Sequence, residues 1–221
     1  MSGRRVSLFG EGVYDLQQVS HLLGIDYRTI RRWSQSTDQQ DALVTPTHGW
    51  AFSFHDLLSL AVIAVFRQRG VTANGVRETV KQLAVRFAYD RPLAHRDVVK
   101  SLQTAGPSVI LTAESSDLSA GGQGVLIPTV EKYLRPLEYG ADGLATLWRP
   151  APKILVMPGI QVGHPCIDGT RITTETIAGR AAQDEPPKLI ADDLNISLAE
   201  VRAAIRFETR LDQGHGMAKV A

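Results

Sequence analysis

Residues 12–35, GVYDLQQVSHLLGIDYRTIRRWSQ, decide the fold of the N-terminal part of the chain. Their first apolar residues recur at a three-and-four spacing, at Leu16, Val19, Leu22 and Leu23. This spacing predicts a helix with one buried face, and Gly24 ends it because glycine adopts the left-handed conformation without penalty. A second helix comes next, with Ile30 and Trp33 on its inner face. Two short helices joined by a glycine turn predict a helix-turn-helix, whose second helix enters the major groove of DNA.

The outer face of the second helix offers polar and basic groups to DNA. The predicted contacts are Arg28, Thr29, Arg31 and Arg32, with Tyr27 on a phosphate. Arginine pairs bidentately with guanine or with phosphate, which suits both base recognition and backbone contact. An arginine-rich helix face is also a common solvated surface, so the DNA-binding interpretation depends on the elements that come after this helix.

The next segment predicts a wing. Residues 44–54, VTPTHGWAFSF, contain Pro46 and Gly49 as turn residues, and their aromatic residues alternate after the turn. Alternation of this kind is typical of a half-buried strand, so we expect a β-hairpin. Trp50 falls in this alternation and Trp33 on the inner helix face, so both are assigned to the core. Thr47 and His48 are the candidate wing contacts to the DNA backbone or minor groove.

Two further helices are predicted after the wing. The first, capped by Ser53 or His55, is apolar over most of its circumference and is therefore buried. Thr72 opens the second. This order of elements, with FSFHDLLSL at 52–60 and FRQRGVTANGVR at 66–77, resembles the DNA-binding domain of MerR-type regulators. The resemblance implies a winged helix-turn-helix. The long dimerisation helix and the cysteine cluster that accompany many such domains are missing from the pattern.

The composition of the 221 residues predicts a soluble, globular protein of the cytoplasm. Hydrophobic residues make up 43% and charged residues 21%, and no apolar run reaches the roughly 18 residues that span a membrane. No signal peptide is apparent, and a single cysteine, Cys166, excludes an internal disulfide framework. The net charge is only +1, so each chain neutralises few phosphates and we expect a homodimer on DNA.

Residues 91–152 predict a connecting α/β segment. Strands are expected at 108–112, 124–127 and 144–148, and a helix over TVEKYLRPLEY at 129–139. The polar segment 114–123 is interpreted as a hairpin loop, because it is not followed by the Lys-Ser/Thr of a phosphate-binding loop. Pro150 and Pro152 predict a linker to the last part of the chain.

Residues 153–221 predict a β-hairpin followed by three helices. Asp168-Gly169 supplies the hairpin turn, and Ser197 with Glu200 forms a capping box at the start of the last helix. The last two helices make a second helix-turn-helix. Its exposed stripe consists of Arg202, Arg206 and Arg210. This stripe is assigned either to a second DNA contact or to a dimer or partner contact, and the acidic residues around it favour the latter.

The C-terminal segment is also similar to a known family. Its patterns are PGIQVGHPCIDGTRI at 158–172 and IADDLNISLAEVRAAIRFE at 190–208. They resemble a small bacterial domain, long catalogued as one of unknown function, that is common in antitoxins of toxin–antitoxin operons. Joined to a MerR-like front half, it resembles a VapB-type antitoxin. That resemblance implies operator DNA and a cognate PIN-domain ribonuclease toxin as partners.

The expected fold class is therefore mainly α (α+β), with domains at 1–90, 91–152 and 153–221. No enzyme activity, cofactor or metal is predicted. His164 and Cys166 are two ligands where zinc needs three or four, and a hydrolase using His164 and Asp168 is a minor alternative. The main alternative to an antitoxin is a free-standing MerR-like regulator whose C-terminal half binds a ligand or partner.

Overall fold

The computed structural model describes residues 11–68, 70–99 and 137–214. Within these ranges, every helix is too short or too polar to cross a lipid bilayer. The predicted strands at 108–112 and 124–127 and the loop between them lie outside the described residues. The predicted helix at 129–139 lies mostly outside them as well. Its last three residues, Leu137–Tyr139, form a strand instead, which corrects that part of the prediction.

The predicted helix pair forms at the start of the described chain. Helix α1 spans Leu16–Leu23 and helix α2 spans Tyr27–Trp33. Asp15 Oδ1 accepts a hydrogen bond from the Gln18 amide at 2.8 Å and so caps α1, while Gln18 Oε1 accepts one from the Asp15 amide. Gly24 ends α1 with φ 61°. Ile30 and Trp33 are buried, so the predicted inner face of α2 is confirmed.

Two longer helices complete the N-terminal core. Helix α3 spans Phe54–Gln68 and is buried on nearly every side, and helix α4 spans Ala73–Phe87. The Ser53 hydroxyl accepts a hydrogen bond from the Asp56 amide, so Ser53 rather than His55 caps α3. Thr72 caps α4 as predicted. Helix α3 contributes more buried side chains than α1, α2 or α4 and so forms the centre of this part of the protein.

The segment predicted as a wing folds as a loop, not as a β-hairpin. Phe52 pairs in a single antiparallel bridge with Tyr14, before α1, and not with the residues near 44. The amides of Thr47 and Ser53 donate instead to the carboxylate of Asp56, at 2.8 and 2.9 Å. Because this buried carboxylate satisfies donors on both sides of the turn, the chain closes a loop without a ladder.

A four-stranded antiparallel sheet comes next, in the order β1-β2-β3-β4. The strands are Leu137–Tyr139, Ala145–Ala151, Ile154–Val156 and Cys166–Ile167. Pro150 lies within β2 and Pro152 in the tight turn to β3, so the predicted linker is wrong. How the chain divides into domains stays a prediction, but the sheet contains strands from both sides of residue 152.

Three helices pack after the sheet, as predicted. Helix α5 spans Thr174–Ala181, α6 spans Pro187–Leu194 and α7 spans Leu198–Asp212. Gly169, with φ +78°, lies in the turn after β4. The capping box of Ser197 and Glu200 is present. The inner face of α7 includes the buried residues Val201, Phe207 and Leu211.

The N-terminal helices and the C-terminal part share one hydrophobic core. The hydroxyl of Tyr14, whose side chain is fully buried, donates to the Gly163 carbonyl at 2.7 Å. The Val13 amide donates to the Val162 carbonyl at 3.1 Å. A second joint lies at α3, where His55 Nε2 is 2.9 Å from the Ala145 carbonyl. These contacts place α1 directly against α7.

Candidate nucleic-acid interface

The predicted DNA-contacting residues of α2 lie together on its outer face. Arg28, Arg31 and Arg32 are exposed, and Tyr27 and Thr29 are half-buried beside them. The Arg28 guanidinium lies over the Tyr27 ring, 5.7 Å from its centre, and its Nε donates to the Tyr27 hydroxyl at 3.2 Å. With Gln35 and Thr37, four of these side chains line a shallow cleft beside the helix. The structure thus brings the five predicted residues to one surface.

Carboxylates of the described residues do not neutralise the positive charge of this surface. Among the described residues, no carboxylate forms an ion pair with Arg28, Arg31 or Arg32, whereas Arg91, Arg149 and Arg180 are each paired to acidic groups. Unpaired guanidinium groups on an exposed helix are available to phosphates and to guanine edges. They contribute a local positive potential despite the small net charge of the chain.

The two predicted wing contacts interact with other groups of the protein, although Thr47 is exposed. The Thr47 hydroxyl donates to Asp56 Oδ2 at 2.7 Å and accepts from Arg91, so it belongs to the base of the loop. The His48 side chain is only 6% exposed, and its Nε2 lies 3.6 Å from a carboxylate oxygen of Glu11. The imidazole is therefore turned toward the protein in the described structure.

Trp50 is a prominent exposed residue of this loop. Its side chain is 73% exposed, so its assignment to the core is wrong, while that of Trp33, at 7%, is confirmed. The alternation that suggested burial requires a strand, and residues 44–54 form a loop with a single bridge instead. A large exposed ring on a loop that comes after a recognition helix is suited to contact with sugar or with a groove wall. The exposure of this ring is evident only from the three-dimensional structure of the loop.

A buried ion pair sets the shape of this loop. Asp56 is fully buried at the start of α3, and the Arg91 guanidinium, after α4, donates to its carboxylate. Arg91 also donates to the Thr47 hydroxyl at 2.7 Å. Three segments that are distant in the sequence are thus held by one carboxylate, which makes breaking this pair costly.

The second arginine stripe is also exposed. Arg202, Arg206 and Arg210 lie on the outer side of α7, without an ion-pair partner among the described residues. Two of the nearby acidic residues, Glu185 and Asp193, are paired to Arg180, which also holds the pKa of Glu185 below its usual value. The acidic surroundings are therefore less repulsive to phosphate than the sequence suggested, and the stripe stays a candidate for DNA or a partner.

His164 and Asp168, which were considered for a metal site or for catalysis, each contact a different side chain of the protein. His164 Nε2 lies 3.4 Å from the Gln18 side chain, and Asp168 accepts from Arg149 at 3.2 Å. Cys166 is buried, and burial raises the pKa of its thiol to about 11, so it is a weak nucleophile. Within the described ranges, no three His, Cys, Asp or Glu side chains meet as metal ligands would.

Comparisons with known proteins agree with this architecture. Residues 14–83 match the family model described as MerR HTH family regulatory protein. Residues 154–207 match the family model described as protein of unknown function, DUF433. The chain is 24% identical to the uncharacterized protein Rv2308 of Mycobacterium tuberculosis, over 91% of this chain and 92% of that protein. It is 22% identical to a protein of the same organism named "Putative antitoxin VapB45", over 89% and 94% of the two chains.

A solved structure shows the same fold. The crystal structure of Rv2018 from Mycobacterium tuberculosis superposes with a TM-score of 0.64, at 22% identity, over 89% of this chain and 99% of that one. The predicted fold class, mainly α with a small sheet, is confirmed. A MerR-type helix-turn-helix domain therefore precedes a DUF433 domain in this chain, and the class of protein is a helix-turn-helix DNA-binding regulator.

Proposed function

We propose that this protein is the antitoxin of a type II toxin–antitoxin system. In this proposal a homodimer binds operator DNA and represses its own operon, and the same protein neutralises a cognate PIN-domain ribonuclease. The observation that carries the DNA-binding part is the exposed set of arginines on α2, on a domain that matches the MerR model. The toxin-binding part is supported by the name of the VapB45 relative.

The weak net charge gives the proposal a physical requirement. Each copy presents three exposed arginines on α2, so one copy neutralises few phosphates. Two copies related by a two-fold axis would double the contacts and recognise a two-fold operator. The homodimer is therefore part of the proposal, and sedimentation of the protein with and without operator DNA measures it.

The DNA-binding part is tested by single arginine substitutions. We expect Arg31→Ala to weaken binding to the protein's own promoter fragment and to reduce the salt dependence of log K by about one charge per copy. The matched control is Arg86→Ala, because Arg86 is exposed on α4 and removes the same charge away from α2. Equal losses for both variants would show that α2 is not the DNA-binding surface.

The toxin-binding part needs a separate measurement. The product of the neighbouring gene, which the proposal expects to be the ribonuclease, is co-expressed with the protein and co-purified, and its activity on RNA is measured with and without this chain. We expect a stable complex in which ribonuclease activity is suppressed. The triple substitution Arg202→Ala, Arg206→Ala and Arg210→Ala tests whether the α7 stripe contributes. Purification of the two proteins apart, with full ribonuclease activity, would reject the antitoxin proposal but leave DNA binding intact.

A second candidate function is a free-standing regulator whose C-terminal half binds a ligand. One observation favours it: a cleft of 550 Å³ lies between α1 of the helix-turn-helix and the helices of the C-terminal part. A ligand there would contact both halves at once. If the neighbouring gene product does not bind this chain, this candidate becomes the preferred one.

A further inference from the structure

The cleft between α1 and the C-terminal helices has the dimensions of a small-molecule site. Its volume is 550 Å³, within the range of roughly 300–1,000 Å³ that such sites occupy. One wall is α1, and the others are α5, α7 and the turn at His164-Pro165. The candidate DNA-contacting residues lie on α2, in the 44–54 loop and on α7. They do not line this cleft.

The permanently charged residues that line this cleft are all acidic. Glu175 at the start of α5, and Glu208 and Asp212 on α7, line it, and no lysine or arginine of the described chain does. Among the described residues, Glu175 and Asp212 have no ion-pair partner. The basic groups in the lining are His21 and His164, which are not permanent cations. The cleft therefore carries an excess of negative charge.

Glu208 is the most enclosed of the three carboxylates. Its side chain is 12% exposed, and its Oε2 lies 3.7 Å from His21 Nε2. Its Oε1 accepts a hydrogen bond from the buried hydroxyl of Thr174. Burial raises the pKa of Glu208, and the charge of Glu175 raises it further. The carboxylate is therefore oriented by its neighbours but incompletely compensated.

The remaining lining is largely apolar or uncharged. Tyr14 and Leu22 contribute from the helix-turn-helix side, and Pro165, Ala178 and Ala182 from the opposite side. Small side chains along α5, including Gly179, leave the cleft open. An occupant that matches both parts of the lining has an apolar body and a cationic group.

We propose that this cleft binds a small organic amine, with its ammonium group beside Glu208 and Glu175 and its apolar body against the Tyr14 and Pro165 side. The ammonium group supplies the positive charge that the lining lacks, and it donates hydrogen bonds to Glu175 and to Glu208, whose carboxylate is already oriented by Thr174 and His21. The cleft is that of the second candidate function, and the binding event does not depend on the antitoxin proposal, because it involves neither DNA nor a toxin.

The test is calorimetric titration of the full chain with three probes of similar shape and different charge. These are 2-phenylethylamine, 2-phenylethanol and phenylacetate. We expect the amine to bind, the neutral alcohol to bind about tenfold more weakly, and the anion to give no binding. Equal affinity of the alcohol and the amine, or no heat from the amine at millimolar concentration, would overturn the proposal.

Two substitutions locate the site. Glu175→Gln combined with Glu208→Gln removes both charges, while the amide oxygen at 208 retains an acceptor for Thr174. We expect about tenfold weaker amine binding with the alcohol unchanged. The matched controls are Glu78→Gln on α4 and Asp192→Asn on α6, which remove exposed charges outside the cleft. Wild-type affinity in the double variant, with a thermal transition showing that it is folded, would place the amine elsewhere and reject the assignment.

Discussion

Replacement of Gly163 by alanine should loosen the joint between the helix-turn-helix and the C-terminal part. Gly163 has φ +92°, and a Cβ atom there would lie 2.1 Å from the Tyr14 hydroxyl and 2.8 Å from its Cζ. Both distances are far below van der Waals contact. Tyr14 is fully buried, so its side chain cannot avoid the clash by moving into solvent.

The cost has two separate sources. Holding alanine in a left-handed conformation costs about 1–2 kcal/mol. Displacing the tyrosine breaks its 2.7 Å hydrogen bond to the Gly163 carbonyl and leaves buried polar groups without a partner, which costs about 1–3 kcal/mol. We therefore expect a loss of about 3 kcal/mol in the free energy of unfolding, a large part of the stability of an ordinary domain.

Urea denaturation followed by circular dichroism measures this loss. With a slope of about 1–3 kcal/mol per molar, the midpoint should fall by about 1 M or more. The matched control is Gly159→Ala, because Gly159 has no positive φ and a Cβ there meets nothing within 4 Å. Its midpoint should correspond to a stability within about 0.5 kcal/mol of the wild type.

A double-mutant cycle separates the clash from the backbone strain. Tyr14→Phe removes the hydroxyl and its hydrogen bond, so the closest remaining atom to an alanine Cβ is the ring carbon at 2.8 Å. Gly163→Ala should therefore cost less in the Tyr14→Phe background than in the wild type. Additive effects, or a Gly163→Ala variant as stable as Gly159→Ala, would refute the assignment of this contact as the joint.

Three further predictions concern the loop and the cleft. Asp56→Ala should cost about 3–5 kcal/mol of unfolding free energy, because it leaves Arg91 and two loop amides without their buried acceptor, and thermal denaturation checks it. Trp50→Ala should weaken promoter binding about fivefold while changing stability by less than about 0.5 kcal/mol, since the ring is exposed; fluorescence anisotropy with labelled DNA measures it, and unchanged affinity contradicts the loop contact. The pKa of Glu208 is raised by burial above its usual value of 4.5, so folding favours the protonated carboxyl group. The protonated group therefore stabilises the fold below pH 4.5, and this stabilisation is lost as the pH rises through the raised pKa. Glu208→Gln should remove this dependence, so the stability of the wild type relative to the variant should fall as the pH rises above 4.5, which paired unfolding curves at several pH values test.

Local patterns were sufficient to predict helices α1 to α7. The caps at Thr72 and Ser197 were predicted because a capping side chain satisfies a backbone amide only three residues away. The turn at Gly24 was predicted because glycine adopts the left-handed conformation without penalty. The outer face of α2 was predicted from helical periodicity alone. The candidate DNA-contacting arginines of α2 are therefore a property of the sequence.

Contacts between distant residues decided the rest. The loop after α2 lacks its predicted hairpin because Asp56, in the next helix, accepts the amide hydrogens that a strand partner would have taken. Trp50 is exposed for the same reason. Pro150, predicted as part of a linker, lies in β2, which overlaps the strand predicted at 144–148 but continues to Ala151.

The helix-turn-helix at residues 12–35 was determined by the sequence itself, because its caps, turn and buried face are all local. The surface against which it packs was decided only by the tertiary structure. Tyr14 reaches Gly163 across 149 positions of the chain, and that contact places α1 against α7 and so creates the wall shared with the acidic cleft. Periodicity and capping report the neighbours of a residue along the chain, whereas a cleft between two halves depends on how their surfaces fit.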